Sequence, residues 1–242
     1  MLSTALVDAS TACALKDYSV SIVIPSYNDE TTVGRLVTDT NSLFSDLGID
    51  FEIICINDGS QDNTLEVLRN LETAVPSLRI INHAENKGYG QTIKELYFAG
   101  TRDLIASLPG DYQYSPKELL KMAAGINNHD MVIGLRVQRN DPSRRKLQSA
   151  VYNFLLRNLY GIRHKDMNSI KLFKRSIFDV IDLKSDTPFV DAELCIRTEH
   201  AGFRIIELPI EHLPRTSGGA SGGKLSVIFE TFKDLIKMRS TL

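Results

Sequence analysis

Three apolar segments in the first half of the chain each end in acidic or amide residues. They are IVIPSYNDE (22–30), EIICINDGS (52–60) and LPGDYQYSP (108–116). A short β-branched apolar run predicts a strand that is buried on both faces of a parallel sheet. The carboxyl ends of such strands face the crevice in which open α/β sheets bind ligands. The three segments together therefore predict a nucleotide site at one edge of the sheet.

Strand and helix patterns alternate along most of the chain. Predicted strands lie at 20–25, 51–57, 78–82, 104–108, 131–135, 170–173 and 203–208. Predicted helices lie at 31–47, 63–71, 116–124 and 192–201, in a stretch that ends at 99, and in a last segment from 225. The alternation predicts an α/β protein with a mostly parallel central sheet flanked by helices. At 242 residues, one domain is the default expectation.

The composition is that of a globular protein, with 43% hydrophobic and 24% charged residues. A net charge of −2 gives no reason to expect a nucleic-acid partner. The three cysteines are odd in number and widely spaced, which favours a reduced, cytoplasmic chain with buried thiols. No apolar stretch approaches the ~20 residues that span a bilayer. The first residues lack the basic segment with which a signal peptide begins, so we do not expect one. Any membrane contact is therefore expected to be peripheral.

Several motifs resemble those of the family 2 glycosyltransferases, which have the GT-A fold. The pair PSYNDE (25–30) and INDGSQDNT (56–64) carries the resemblance, and NKGYGQT (86–92) matches the family's Asn-x-Gly-x-Gly segment. Within that family the chain most resembles the dolichol-phosphate mannose synthase type. The likeness covers residues 18–224, and so implies a GT-A domain there. It leaves residues 1–17 as a disordered lead or short helix and residues 225–242 as an amphipathic helix.

The resemblance implies inverting transfer of a hexose from a GDP- or UDP-linked sugar to a polyprenyl phosphate. Asp58 looks like the family's base- and ribose-binding aspartate, although Asp-Gly-Ser is also good turn chemistry. Other expected nucleotide-binding residues come from the two motifs that precede and follow it: Pro25, Tyr27, Asp29 or Glu30, Lys87 and Gly88. The glycines of NKGYGQT permit close approach of the backbone to a ligand and leave the N–H groups at the start of a helix free to bind it.

The resemblance also implies a divalent metal, Mg²⁺ or Mn²⁺, at GDYQ (110–113). Family members usually carry Asp-x-Asp-x-Gln here, and this chain keeps Asp111 and Gln113 but has Pro109 in the first position. A site with one carboxylate is expected to be weaker. It can still bind, because Mg²⁺ often uses one or two carboxylates together with phosphate oxygens and water. The alternatives are catalysis without a metal and a nucleotide-sugar-binding or scaffold protein that has lost catalysis.

Cationic residues at family-like positions are expected to bind phosphates, because a guanidinium fork suits phosphate oxygens. Expected donor or acceptor phosphate ligands are Arg136, Arg145, Ser149, Arg215 and Lys224. Ser169 is expected to line the sugar pocket. A solvated surface is the alternative for Arg136. For the glycine-rich loop that holds Arg215 and Lys224, the alternative is a plain hinge.

Asp191 and Glu193 lie where family members that act on hydroxyl acceptors carry a catalytic base. This leaves a second hypothesis open, in which the acceptor is a saccharide hydroxyl in polysaccharide or glycolipid assembly. A phosphate acceptor is already an anion near neutral pH and needs no strong base. Either acid could instead be a carboxylate favoured at a helix N-terminus.

Two basic amphipathic segments could face either a membrane surface or the core. Residues 143–165 carry several Lys and Arg and no acid, between apolar residues at helical spacing. The last helix places apolar residues on one face beside two lysines. Such helices can lie in the headgroup plane of a membrane, although apolar stripes are commonly core-facing. The last helix is also the expected interface if the chain forms a homodimer.

Overall fold

The structure is a computed structural model, and it describes residues 14–137, 152, 154–214 and 225–239. A seven-stranded sheet runs through it in the order β3-β2-β1-β4-β6-β5-β7. The strands are β1 (Val20–Ser26), β2 (Phe51–Asp58), β3 (Leu78–His83), β4 (Leu104–Ser107), β5 (Met131–Arg136), β6 (Lys171–Lys174) and β7 (Ile205–Ile210). The predicted α/β class is confirmed.

Six labelled helices cover the sheet: α1 (Val33–Asp46), α2 (Thr64–Leu71), α3 (Tyr89–Ala99), α4 (Lys117–Ile126), α5 (Val190–His200) and α6 (Leu225–Met238). A 3-10 turn, Arg175–Asp179, follows β6, and residues 154–160 are also helical. The predicted helices agree with these to within a few residues. None of the helices in the described part of the chain is long and apolar enough to cross a membrane.

Alternation along the central strands divides the core into two layers, because successive side chains of a strand point to opposite faces. On β1, Ile22 and Ile24 pack into the layer that contains α1, α2 and α4. Val23, between them, packs into the layer that contains α3, α5 and α6. The central strands are therefore covered on both faces, which explains the unbroken apolar runs in the sequence.

Parallel pairing brings the carboxyl ends of the central strands together. Ser26 of β1 pairs with Asn57 of β2, and Asp58 of β2 pairs with His83 of β3. β4 lies on the other side of β1 and is also parallel to it. The three polar segments found in the sequence therefore open at one edge of the sheet.

β6 is inserted between β4 and β5 and runs antiparallel to both. Sequence periodicity predicts a short strand here but carries no information on its direction. This insertion brings the residues just before β6 against the carboxyl end of β4. It therefore adds a second wall to the edge where the polar segments meet.

The two basic amphipathic segments pack at least partly into the core. Residues 138–151 and 153 lie outside the described residues, but Leu156 and Tyr160 are buried. Leu235 and Met238 of α6 are buried in the same layer. Tyr160 donates a hydrogen bond from its hydroxyl to the backbone carbonyl of Leu235, which joins the two helical segments. These contacts agree with the core-facing alternative for their buried sides.

Candidate active site

A cleft of about 280 Å³ opens at the carboxyl ends of β1, β2 and β4. Its walls come from the strand ends, from α3 and from the residues around β6. The lining includes Pro25, Ser26, Tyr27, Asp29, Asp58, Tyr89, Thr92, Ser107, Pro109, Asp111, Gln113, Arg136, Asn168, Ser169 and His212. The cleft is therefore rich in carboxylates and hydroxyls, as a site for a polar ligand with bound cations would be.

Asp58, at the end of β2, is buried and fastens the turn that precedes α3. Its carboxylate accepts the backbone N–H groups of Lys87 at 2.9 Å and Gly88 at 3.0 Å. Oδ1 also lies 2.8 Å from Nδ1 of His83, whose Nε2 lies 3.0 Å from a Glu95 carboxylate oxygen. Asp58 thus has a structural role at a turn and lines the cleft as well. His83, which no sequence motif indicated, orients it from behind.

Of the adjacent acids Asp29 and Glu30, the structure brings only Asp29 to the cleft. Asp29 is 7% exposed, and its carboxylate accepts the backbone N–H of Tyr27 at 3.0 Å. Glu30 is not part of the cleft lining, and its carboxylate accepts the N–H of Asn63 at 2.9 Å at the start of α2. An acid at a helix start complements the helix dipole. Pro25 and Tyr27 line the cleft as predicted.

Lys87 and Gly88 support the cleft without lining it. The Lys87 ammonium lies 3.4 Å from a Glu95 carboxylate oxygen. Gly88 has φ of +87°, a conformation that favours glycine. A Cβ on Gly90 would lie 2.2 Å from the backbone of Thr187, so α3 approaches the loop before α5 closely. The two glycines of the motif thus serve backbone geometry, whereas Tyr89 between them and Thr92 after them line the cleft.

Asp111 and Gln113 both line the cleft, in the loop after β4. Asp111 is 8% exposed and accepts the backbone N–H of Gln113 at 3.1 Å. Tyr112 between them has φ of +55°, and the guanidinium of Arg35 lies 4.6 Å from the centre of its ring. Contact with α1 thus holds a strained backbone that directs the two neighbouring side chains. Pro109 lines the cleft and offers no ligand atom from its side chain.

The residues of this loop fit a divalent metal only in part. Within the described ranges, no three His, Cys, Asp or Glu side chains converge as a metal-binding cluster. Asp111 and Gln113 provide hard oxygen atoms of the kind that Mg²⁺ and Mn²⁺ prefer. Such a set can hold an ion when phosphate oxygens and water complete the coordination. Metal binding here would therefore require the nucleotide diphosphate as well.

Arg136, at the end of β5, lines the cleft and forms an ion pair with Asp166. Nε lies 2.7 Å from one carboxylate oxygen, and Nη2 contacts the other. The two side chains are 13% and 6% exposed. Glu207 accepts the backbone N–H of Asp166 at 2.8 Å and so holds the carboxylate's segment in place. The pair fixes the guanidinium plane at the cleft wall, and Asp166 is a second site residue that was not among those predicted from the sequence.

Asp191 lies in the first turn of α5 and is surrounded by donors. Its carboxylate accepts hydrogen bonds from the Tyr89 and Tyr97 hydroxyls, each at 2.7 Å, and from the Lys171 ammonium at 2.8 Å. Lys171 is fully buried and also donates to the Ser169 carbonyl at 3.0 Å. Burial and the nearby carboxylate raise the pKa of Tyr89 and Tyr97 well above the usual value, so both hydroxyls stay protonated as donors.

This arrangement differs from the one expected of a catalytic base. Asp191 is not part of the cleft lining, whereas Tyr89 is. Lys171 lies in the strand that the sequence predicts at 170–173. A charged residue in a predicted buried strand is the signal by which the ion pair could have been found.

Glu193 lies away from the cleft. It is 1% exposed and accepts the backbone N–H of Ser185 at 2.8 Å and the Nε–H of Arg197 at 2.8 Å. It lines a separate small cavity with Asp234 of α6. Asp234 accepts a hydrogen bond from the Ser185 hydroxyl at 2.6 Å. Glu193, one of the two acids expected as a base, thus connects α5 to the loop before it through these hydrogen bonds.

Ser169 lines the cleft, as predicted for a sugar-pocket residue. Four of the predicted phosphate ligands lie outside the described residues: Arg145, Ser149, Arg215 and Lys224. Their roles stay predictions.

Comparisons with known proteins agree with the geometry. The model of glycosyl transferase family 2 matches residues 21–181. An undecaprenyl-phosphate 4-deoxy-4-formamido-L-arabinose transferase from Aeromonas hydrophila is 27% identical over 227 residues, which cover 92% of this chain and 68% of that protein.

Two solved structures share the fold. Glucosyl-3-phosphoglycerate synthase from Mycobacterium tuberculosis, in complex with Mn²⁺ and uridine-diphosphate-glucose, has a TM-score of 0.69 at 15% identity, and the match covers 96% of this chain and 82% of that one. Mannosyl-3-phosphoglycerate synthase from Rubrobacter xylanophilus has a TM-score of 0.71 at 15% identity, with 96% and 79% covered. These similarities confirm the predicted GT-A fold.

Proposed function

The chain belongs to glycosyl transferase family 2, and we propose that it transfers a hexose from a nucleotide diphosphate sugar to a polyprenyl phosphate. A phosphate acceptor is favoured because neither of the two acids in the region of the expected base is available as a base in the cleft. Asp191 already accepts three hydrogen bonds, one of them from a buried ammonium, and Glu193 lies outside the cleft. The lipid-phosphate acceptor in the name of the Aeromonas relative supports the same choice.

A phosphate acceptor removes the need for a base. Near neutral pH it carries at least one charged oxygen, which can attack the anomeric carbon directly. The new C–O bond forms on the face opposite the leaving diphosphate, the bond to the diphosphate breaks, and the configuration inverts. Catalysis then depends on positioning and on charge neutralisation at the leaving group.

In this proposal, Asp58 and Asp29 bind the nucleoside part of the donor, at the ends of β2 and β1. Asp111 and Gln113 lie at the end of β4, where the diphosphate would follow. They would hold Mg²⁺ or Mn²⁺ together with diphosphate oxygens, and the ion would offset charge on the leaving group. Arg136, oriented by Asp166, would bind a phosphate of the donor or acceptor. The four residues outside the described ranges are proposed to complete the acceptor side.

We also propose that the protein works in the cytoplasm, at the cytosolic membrane face. Phe154 is 61% exposed and Ile236 is 64% exposed, on two helical segments that Tyr160 joins. Arg157 and Lys233 are exposed on the same segments. Apolar side chains beside basic ones suit the headgroup region of an anionic bilayer. Sedimentation with anionic phospholipid vesicles tests this, because Phe154→Glu should reduce binding to the vesicles while leaving binding to soluble nucleotide unchanged.

The main test measures release of nucleoside diphosphate by the purified protein. The donors are UDP- and GDP-linked hexoses, with Mn²⁺, and the acceptors are undecaprenyl phosphate, undecaprenol and a neutral saccharide. Release should require undecaprenyl phosphate and should be lost in Asp111→Ala. Release with the saccharide and none with the lipid phosphate would favour the hydroxyl-acceptor alternative. No release from any donor would favour the binding-protein alternative.

A further inference from the structure

Thr92 has a buried hydroxyl without a partner in the cleft wall. It lies in α3, is 1% exposed, and lines the cleft. Its Oγ1 makes no hydrogen bond to any described residue. Buried polar side-chain atoms are nearly always paired, and leaving one unpaired costs stability. A hydroxyl kept in this state in a cleft indicates a partner that arrives with a ligand.

The helix itself does not satisfy this hydroxyl. Threonine in a helix commonly donates to the carbonyl four residues earlier. Thr40 of α1 does so, with Oγ1 2.7 Å from the Leu36 carbonyl oxygen. The corresponding carbonyl for Thr92 belongs to Gly88; it accepts the Thr92 backbone N–H at 3.1 Å but no hydrogen bond from the Thr92 hydroxyl. The Thr92 hydroxyl therefore keeps its capacity to donate for a group that enters the cleft.

The neighbours of Thr92 in the cleft suggest which ligand group it meets. Tyr89 lies one helical turn earlier and lines the same cleft, with its hydroxyl committed to Asp191. Asp58 lines the same cleft and accepts the N–H of Gly88. This wall is formed by neutral and acidic groups, which are poor partners for a phosphate and good partners for a hydroxyl. A threonine O–H can both donate to and accept from such a group.

We propose that Thr92 Oγ1 binds a hydroxyl of a sugar ring in the donor, either the ribose or the transferred hexose. The inference rests on the proposed function, because it takes the cleft as the site of the nucleotide sugar. It adds a recognition residue on α3 to the ones on the strand ends. Thr92 is the last residue of the NKGYGQT motif, in which only Lys87 and Gly88 were expected to bind the nucleotide.

Thr92→Val tests the inference, because valine keeps the shape and removes the hydroxyl. Thr198→Val is the matched control. Thr198 is 0% exposed in α5, and its Oγ1 also has no partner among the described residues, but it does not line the cleft. Both changes remove an unpaired buried hydroxyl, so both should raise the melting temperature of the ligand-free protein. Only Thr92→Val should weaken ligand binding, by about 3- to 10-fold for one neutral hydrogen bond.

Calorimetric titration with UDP, UDP-glucose, GDP and GDP-mannose, in the presence of Mn²⁺, gives the readout. An equal loss for nucleotide and nucleotide sugar identifies the ribose as the partner, and a loss for the nucleotide sugar alone identifies the hexose. Thr92→Ser retains the hydroxyl and should bind like the unchanged protein. Affinities in Thr92→Val equal to those in Thr198→Val would overturn the inference alone. An unchanged protein that binds none of the four ligands would overturn the proposed function together with it.

Discussion

Replacing Asp191 with asparagine should destabilise the fold rather than remove a chemical step. The carboxylate pairs with the Lys171 ammonium at 2.8 Å, and both side chains are at most 3% exposed. Asparagine keeps one of the two acceptor oxygens that the tyrosine hydroxyls use, and it loses the charge that balances the ammonium. The variant would therefore bury a cation without a counterion.

The expected cost is large on the scale of protein stability. Removing one partner of a buried ion pair costs about 3–5 kcal/mol. A domain of this size shifts its melting temperature by roughly 2–4 °C for each kcal/mol, which gives a fall of about 6–20 °C. Since most domains are stable by ~5–15 kcal/mol, the variant should fold but be markedly less stable. Thermal and urea unfolding of the purified variants measure this directly.

A second substitution separates stability from chemistry. Lys171→Met in the Asp191→Asn background removes the uncompensated charge and keeps an apolar side chain of similar length. The double variant should recover a large part of the lost stability, and the coupling between the two changes should reach about 1–3 kcal/mol. Nucleoside diphosphate release with undecaprenyl phosphate should recover with it, provided that Tyr89 keeps its place.

The opposite result would refute the reasoning. If Asp191 is a base, Asp191→Asn should melt like the unchanged protein, bind nucleotide normally and release no diphosphate, and Lys171→Met should restore nothing. Glu193→Gln is a useful comparison, because Glu193 is an acid of the same helix turn that lies outside the cleft. The Glu193→Gln variant should be less stable because its contacts with residues 184–185 are weakened, and its KM for the donor should be unchanged.

Three further expectations can be checked with single variants. Gly90→Ala should lower the melting temperature by several degrees and weaken nucleotide binding, because its Cβ would lie 2.2 Å from the backbone of the loop before α5. Glu52→Gln should cost stability at pH 7, and the cost should be smaller at pH 3. Burial raises the pKa of Glu52, but hydrogen bonds from Ser21 and Thr101 outweigh it and hold the pKa below its usual 4.5. Its contribution is thus complete above pH 4.5 and is lost as pH falls through the folded value, which urea unfolding at both pH values measures. Pro109→Asp should tighten Mn²⁺ binding in the presence of nucleoside diphosphate, and unchanged calorimetric affinity would show that the first motif position is dispensable.

The strand and helix order followed from local pattern alone. The apolar runs that predict β1, β2 and β4 are buried on both faces, and their ends meet as expected of parallel strands. This is why the positions of Asp58 and Asp111 in the sequence were enough to assign them to one cleft. The strand order and the burial of the strands depend on backbone sterics and on the spacing of apolar residues, and both can be recognised in short stretches of sequence.

The choice between Asp29 and Glu30 needed the structure. Both acids follow β1 closely, and a single-residue step decides which one faces the cleft and which one faces α2. A sequence pattern cannot resolve that step, because turn geometry after a strand varies with the residues packed against it.

The α/β class, the parallel central strands and the edge where ligands bind can be predicted from local sequence, because they depend on hydrophobic periodicity and on the chemistry of strand ends. The pairing of the charges cannot be predicted in this way. Asp191 lies 20 residues from Lys171, 94 from Tyr97 and 102 from Tyr89, and they meet through the packing of α3, α5 and an antiparallel β6. Each buried charge or hydroxyl needs a partner because it has lost its contact with water, but long-range packing that local sequence does not encode decides which partner it meets.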